Sequence, residues 1–159
     1  MNFITNPHDL PRNDSVRRTT GEILGSLTNL SEASGLRNLF IQHEILKPGH
    51  RSSPAHQHSH KEEFVYVLRG MVAVWIDGNW HTVEAGSAIS FPPLVPHMVT
   101  NGSLEDAELL VVSTALNEND TITFVPDEAV VHSQPRAESD YPFVSAETVA
   151  NNRAIQINL

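Results

Sequence analysis

Residues 64–78 read Phe-Val-Tyr-Val-Leu-Arg-Gly-Met-Val-Ala-Val-Trp-Ile-Asp-Gly. Two blocks, residues 64–68 and 71–76, are apolar at both parities and too short for ordinary helices. Such blocks read as β-strands covered on both faces. Arg69-Gly70 breaks the first from the second. Asp77-Gly78 then supplies the positive φ that a type I′ hairpin turn requires. A chain built on this pair of strands must close other strands over both of its faces.

The rest of the chain supplies them. Leu39-Phe40-Ile41-Gln42-His43-Glu44-Ile45-Leu46 is a strand ended by Lys47-Pro48-Gly49. Residues 80–83 form the return strand of the hairpin, and Glu84-Ala85-Gly86 turns again. Residues 88–91, stopped by Pro92-Pro93, residues 97–100, closed by Asn101-Gly102-Ser103, and residues 109–113 complete the set. Residues 22–30 read as a strand or extended segment, Ser31-Glu32-Ala33-Ser34-Gly35 as a turn, and residues 121–125 as an edge strand. Seven or eight short strands separated by turns, with little helical periodicity, predict an all-β barrel or sandwich. Residues 1–20, broken by Pro7 and Pro11, read as an N-terminal arm. Residues 21–126 are the expected barrel domain, and residues 127–159 a C-terminal tail packing on the barrel or on a partner subunit, with a short helix near residues 146–151.

Ahead of the first apolar block stand His56-Gln57-His58-Ser59-His60-Lys61-Glu62-Glu63. Residues i and i+2 of a strand share a face, so His56 and His58 project together at a spacing suited to one metal ion. His60 has the same parity, but the chain must turn before Phe64. Glu63 shares the parity of Val65 and Val67, and Glu62 that of Phe64, Tyr66 and Leu68. Since both faces are apolar, parity does not choose between the two carboxylates. His97 follows Pro92-Pro93-Leu94-Val95-Pro96 further along. There are no cysteines, so any metal site is built from nitrogen and oxygen.

These two stretches resemble the paired motifs of the cupin superfamily, G-x5-H-x-H-x(3,4)-E-x6-G and G-x5-P-x-G-x2-H-x3-N. His56-x-His58-x4-Glu63-x6-Gly70 fits the first, and Gly86-x5-Pro92-x-Leu94-x2-His97-x3-Asn101 fits the second. The interval to Gly70 selects Glu63 over Glu62 as the family's metal ligand. The resemblance covers roughly residues 39–113. Two positions depart from it. Six residues, not five, intervene between Gly49 and His56, and Leu94 stands where the family has glycine. A leucine does not cheaply take positive φ, so the loop is expected to use a different turn, helped by Pro93 and Pro96.

The resemblance implies a double-stranded β-helix, a homodimer, and one divalent transition metal on His56, His58, Glu63 and His97. Zinc, manganese, iron, nickel and cobalt all suit such ligands, and binding should weaken below roughly pH 6. It further implies an enzyme acting on a small oxygen-rich substrate, of the sugar-phosphate isomerase type. An iron- or nickel-dependent dioxygenase and a non-catalytic ligand-binding protein are the alternatives. Glu62 or His60 would transfer protons, and Arg51 and His50, in the loop before His56, would border the substrate.

The formal charge of −9 and the absence of Lys/Arg runs argue against a nucleic-acid partner. No apolar run approaches the roughly 18 residues of a membrane span. The first residues carry no basic-then-apolar signal pattern. A cytoplasmic protein with a small-molecule partner is the expectation.

Overall fold

The computed structural model describes residues 4–115 and 118–132. Most of the expected C-terminal tail, and the short helix expected near residues 146–151, lie outside the described residues. The elements run β1 (Asn13–Val16), β2 (Ile23–Asn29), α1 (Leu30–Ser34), β3 (Leu39–Leu46), β4 (His56–His58), β5 (Glu63–Arg69), β6 (Met71–Ile76), β7 (Asn79–Glu84), β8 (Ala88–Phe91), β9 (His97–Thr100), β10 (Ala107–Thr114), β11 (Ile122–Phe124) and α2 (Asp127–His132). They form two antiparallel sheets, ordered β1-β2-β3-β10-β5-β8 and β11-β4-β9-β6-β7. This is the expected double-stranded β-helix. The β6–β7 hairpin turns through Asp77 and Gly78 at φ 42 and 96, as the Asp-Gly pair dictates.

The core is the interior between the sheets. Leu46, Val65, Val67 and Leu109 of the first sheet meet Val72, Val74 and Val99 of the second. Each inward residue alternates with an outward one, so β5 buries Val65 and Val67 while Phe64 and Leu68 remain 40% and 44% exposed. The expectation that β5 is covered on both faces therefore fails within one chain. Its outer face continues across the sheet as rows of neighbours, Ile41–Val112–Phe64 and His43–Leu110–Tyr66. At one end of this face the N-terminal segment covers His43, whose Nδ1 lies 2.7 Å from Arg12, while Phe64 stays half-open.

Three local expectations change. Residues 13–16 of the N-terminal arm are not irregular but form β1, an edge strand on β2, because residues 17–21 turn the chain back with Gly21 N–H bonded to Arg17 O at 2.8 Å. Residues 30–34 form a helical turn where a simple turn was expected. Asn29 Oδ1 accepts from Glu32 N at 3.1 Å, and Gly35 closes the helix in the left-handed conformation. Leu94 does take positive φ, at 65°, so the loop keeps the glycine-like turn instead of using another. Its N–H is fixed to His58 O at 2.7 Å, which holds the loop against β4 at a strain of about 1–2 kcal/mol.

Two motif positions serve the scaffold. Gly70 has φ 79, and a Cβ there would come within 2.9 Å of Asp106 O, so the β5–β6 turn admits no side chain. Asn101 is fully buried. It donates to Leu46 O at 2.8 Å and to Glu105 O at 2.7 Å, and accepts from Ser103 N at 2.9 Å. One amide thus satisfies the backbone of the β9–β10 connection.

Candidate metal centre

The fold brings the two motifs together through strand pairing. β4 and β9 lie side by side with His56 directly opposite His97. Glu63 begins β5 on the facing sheet, between Phe91 and Ser113. Its inward parity turns the carboxylate toward the imidazoles, whereas Glu62 is exposed. The ring of His97 stacks on Phe91 at 3.9 Å between centroids and 6° between planes.

Every imidazole is anchored through Nδ1. His56 Nδ1 meets Pro54 O at 2.9 Å, with Ser53 Oγ at 3.2 Å. His97 Nδ1 meets Val95 O at 2.9 Å. His58 Nδ1 meets Asp120 Oδ2 at 2.6 Å. A carbonyl or carboxylate oxygen accepts, so each Nδ1 carries a proton and each Nε2 is the nitrogen left to offer a lone pair to a metal. All three Nε2 atoms face Glu63 Oε2, at 2.9 Å from His97, 3.7 Å from His58 and 3.8 Å from His56. One ligand atom each from His56, Glu63 and His97 lies within 4.8 Å of the others.

Electrostatics suits the same arrangement. Burial, reinforced by the facing His97, lowers His56 to about 4 and keeps it neutral. Burial pushes Glu63 upward. In the metal-free protein a proton shared between His97 Nε2 and Glu63, together with the ammonium of Lys61, 2.7 Å from Oε1, outweighs it and holds the carboxyl well below the usual range. Burial also pushes Asp120 upward, but His58 and the backbone N–H groups of His60 and Lys61 bring it down to about 2. Three lone pairs and a carboxylate converging on one point repel unless a cation sits among them. The donor set, three imidazoles and one carboxylate, is one that divalent transition metals take.

The group opens into a cavity of about 230 Å³. Gln42, Ser52, Ser53 and Lys61 supply its other polar walls. Leu27, Val65, Phe91, Val99, Val111 and Ile122 supply an apolar one.

The structure does not bring the remaining candidates into this cavity. His60 is exposed, with Nδ1 on Ser59 Oγ at 2.9 Å. Glu62 lines a separate groove of about 350 Å³ on the far side of Glu63. Arg51 is committed to Glu22 at 2.8 Å and to Asp127 at 2.9 Å, tying β2 and α2 to the loop before β4. His50 Nδ1 bonds to Leu24 O at 3.0 Å. Sequence reasoning missed Asp120. Asp120 is 62 positions from His58, and the one signal for it was its place just before the edge strand that proves to pair with β4.

Residues 42–113 match the cupin domain family. The chain is 32% identical over 102 residues to protein SchB of Streptomyces halstedii, covering 64% of this chain and 70% of that one. It is 29% identical over 133 residues to polyketide synthase CurC of Streptomyces cyaneus, covering 83% and 82% of the two chains. Among solved structures, it resembles a cupin-superfamily sugar phosphate isomerase from Silicibacter pomeroyi, with 27% identity, a TM-score of 0.67, and 76% and 80% of the two chains covered. With the fold, the paired motifs and these relatives in agreement, the chain belongs to the cupin superfamily.

Proposed function

We propose that His56, His58, Glu63 and His97 hold one divalent transition metal, and that the protein is an enzyme moving protons beside a carbonyl of a small oxygen-rich substrate. The observation that carries the reading is His97 Nε2 at 2.9 Å from Glu63 Oε2 while its Nδ1 faces Val95 O. At that distance a proton or a metal ion must lie between the two, and the convergence of two further imidazoles on the same carboxylate oxygen favours the metal. A bound divalent ion would supply Lewis acidity to a substrate oxygen. The chain's own residues would do the rest. Asp120 orients His58, the stacked Phe91 orients His97, and the apolar wall excludes water from the substrate carbon.

The charge of the cavity bears on the substrate. Among the described residues lining it, Lys61 is the one Lys or Arg, and its ammonium is engaged by Glu63. Arg51, the expected anchor, is held by Glu22 and Asp127. A phosphate dianion has no uncommitted cation to meet here. An uncharged polyketone, with its repeated carbonyl groups, offers the oxygen-rich and partly apolar surface that these walls complement. The likeness to CurC, named a polyketide synthase, supports that class. Sugar-phosphate isomerisation is the second reading, supported by the likeness to the Silicibacter pomeroyi protein. Both chemistries share proton abstraction next to a carbonyl.

The test is elemental analysis of tag-free protein beside a His56→Ala/His97→Ala variant, followed by assays of the loaded protein. Near-stoichiometric metal in the parent and its loss in the variant are expected. Turnover or enolisation of a β-diketone, without conversion of aldose phosphates, supports the first substrate class, and the converse supports the second. Oxygen uptake dependent on Fe(II) would instead establish the dioxygenase alternative, and binding without turnover the non-catalytic one.

The outer face of the six-stranded sheet, with its half-exposed Phe64 and Leu68, is proposed as the surface on which a second copy docks.

A further inference from the structure

Glu44 is the most deeply buried acid of the described residues that has no cation in contact. It sits on β3 at the inward parity, between Gln42, which lines the cavity, and Leu46 in the core, and is 1% exposed. Its strand neighbours are Leu27 and Leu109. Oε2 accepts a hydrogen bond from Ser52 Oγ at 2.7 Å. Oε1 is buried without any hydrogen-bond partner. The space it occupies depends on Gly25, because a Cβ there would collide with the Glu44 carboxyl. A small residue on β2 thus makes room for an acid whose second oxygen is left unsatisfied, an arrangement that costs stability. Nothing in the scaffold needs it, since the neighbouring inward positions are apolar or cavity-lining.

Ser52 belongs to the cavity wall, and its own N–H is tied to Val99 O at 2.9 Å. One hydroxyl therefore separates Glu44 from whatever fills the cavity. We propose that Glu44 and Ser52 form a proton relay for the substrate, in which Ser52 passes a proton from a bound β-dicarbonyl to Glu44 and returns it. The relay builds on the substrate class proposed above.

The step balances without a co-reactant. The dicarbonyl loses a proton from its central carbon and keeps the electron pair as an enolate. Ser52 Oγ takes that proton while giving its own to Glu44 Oε2, and ends unchanged. The carboxylate becomes a neutral carboxylic acid, and the reverse transfer regenerates it. Burial raises Glu44 to about 7, in the range where a group can both hold and release a proton near neutrality. The charged groups that act on it are Glu63, which raises it further, and Arg12, which lowers it. Ser52 lowers it by hydrogen bonding.

Glu44 acts through Ser52 and is a positioning and proton-holding residue, so the test counts protons. Zinc-loaded protein is titrated with acetylacetone by calorimetry in two buffers of different ionisation enthalpy. At about pH 8, wild type should release about one proton fewer to the buffer than Glu44→Gln, because the carboxylate captures it. At about pH 6 Glu44 is already mostly protonated and the difference should nearly vanish. Ser52→Ala should slow deuterium exchange at the central carbon of bound acetylacetone by roughly 100-fold. If Glu44→Gln does not fold, the exchange rate of Ser52→Ala alone decides. Equal proton counts at about pH 8, or exchange in Ser52→Ala at the wild-type rate, overturn the relay while leaving the substrate class standing. Failure of the loaded wild type to bind acetylacetone overturns both.

Discussion

Asp120 Oδ2 stands 2.6 Å from Nδ1 of His58, and each side chain is 4% exposed. The carboxylate also accepts from His60 N at 2.8 Å and Lys61 N at 3.1 Å, so its own position is set by backbone. It therefore fixes both the tautomer and the direction of the His58 ring. Partners of this kind tune metal affinity from behind the ligand. Asp120→Ala is expected to weaken metal binding roughly 10- to 100-fold. A competition titration against a chromophoric chelator measures it. An unchanged affinity would mean that His58 is not a ligand, or that its ring is held by packing alone.

Acid should destabilise the metal-free protein earlier than its carboxylates alone would predict. Folding lowers His56 from 6.5 to about 4, so the unfolded chain takes the proton first. The contribution of His56 to stability is complete above about pH 6.5 and is lost as pH falls toward 4. Glu63, also depressed, acts in the same direction at lower pH. Denaturant titrations of chelated protein between about pH 7.5 and 4.5 should register a loss of up to about 3 kcal/mol. The slope should flatten in His56→Gln, and an equal slope in that variant would remove His56 as its source.

How much of this was readable beforehand differs by the kind of interaction. Strand positions were legible because short apolar runs and Asp-Gly turn chemistry are local, and the ends of β3, β6, β8 and β9 follow from the residues in and beside them. The proposed ligand set was legible as a motif because fixed intervals place His56 and His58 on β4, His97 on its partner β9, and Glu63 at the start of β5 on the facing sheet. What stayed hidden was contact between distant segments. Asp120 meets His58 only because β11 pairs with β4. Arg51 looked available because Glu22 and Asp127, its partners, are 29 and 76 positions away. Nothing in the local sequence sets Glu44 apart, because the residue that makes room for it, Gly25, lies on β2.

Leu94 offers a test of the strained mouth loop. Its φ of 65° suits glycine, and its side chain is 41% exposed, so little packing would be lost. Leu94→Gly relieves the left-handed strain of about 1–2 kcal/mol but loosens the unfolded chain by about 0.5–1 kcal/mol. A net stabilisation of about 0.5–1 kcal/mol is expected, read as a small rise in thermal midpoint. A clear fall would instead assign the exposed leucine a contact of its own at the cavity mouth.

The outer sheet face predicts assembly. Phe64 stands beside Val112, and Leu110 beside Tyr66, in one continuous apolar surface. Sedimentation should find a dimer, and Phe64→Glu/Leu110→Glu should yield a folded monomer, since two buried unpaired charges cannot be tolerated at a shared face. A parent protein that sediments as a monomer at every concentration tested would leave this face to another partner.

Glu44 should give a signature of opposite sign to His56. Folding raises its carboxyl from 4.5 to about 7, so the folded state holds the proton more tightly than the unfolded chain. The protonated acid is fully accommodated below about pH 4.5, and stability declines as pH rises through 7. The shift corresponds to at most about 3 kcal/mol, fully expressed above pH 7. Glu44→Gln cannot ionise, and its amide oxygen can still accept from Ser52. The amide nitrogen meets the same partnerless pocket as Oε1, which costs about 1–3 kcal/mol in a buried site. The variant is therefore expected to resemble or trail the wild type at about pH 5 and to gain on it by about 2–3 kcal/mol by about pH 8. Thermal unfolding of both proteins at the two pH values measures the gain. A pH-independent difference would mean that Glu44 is ionised throughout, which would also remove the proton-holding role inferred for it.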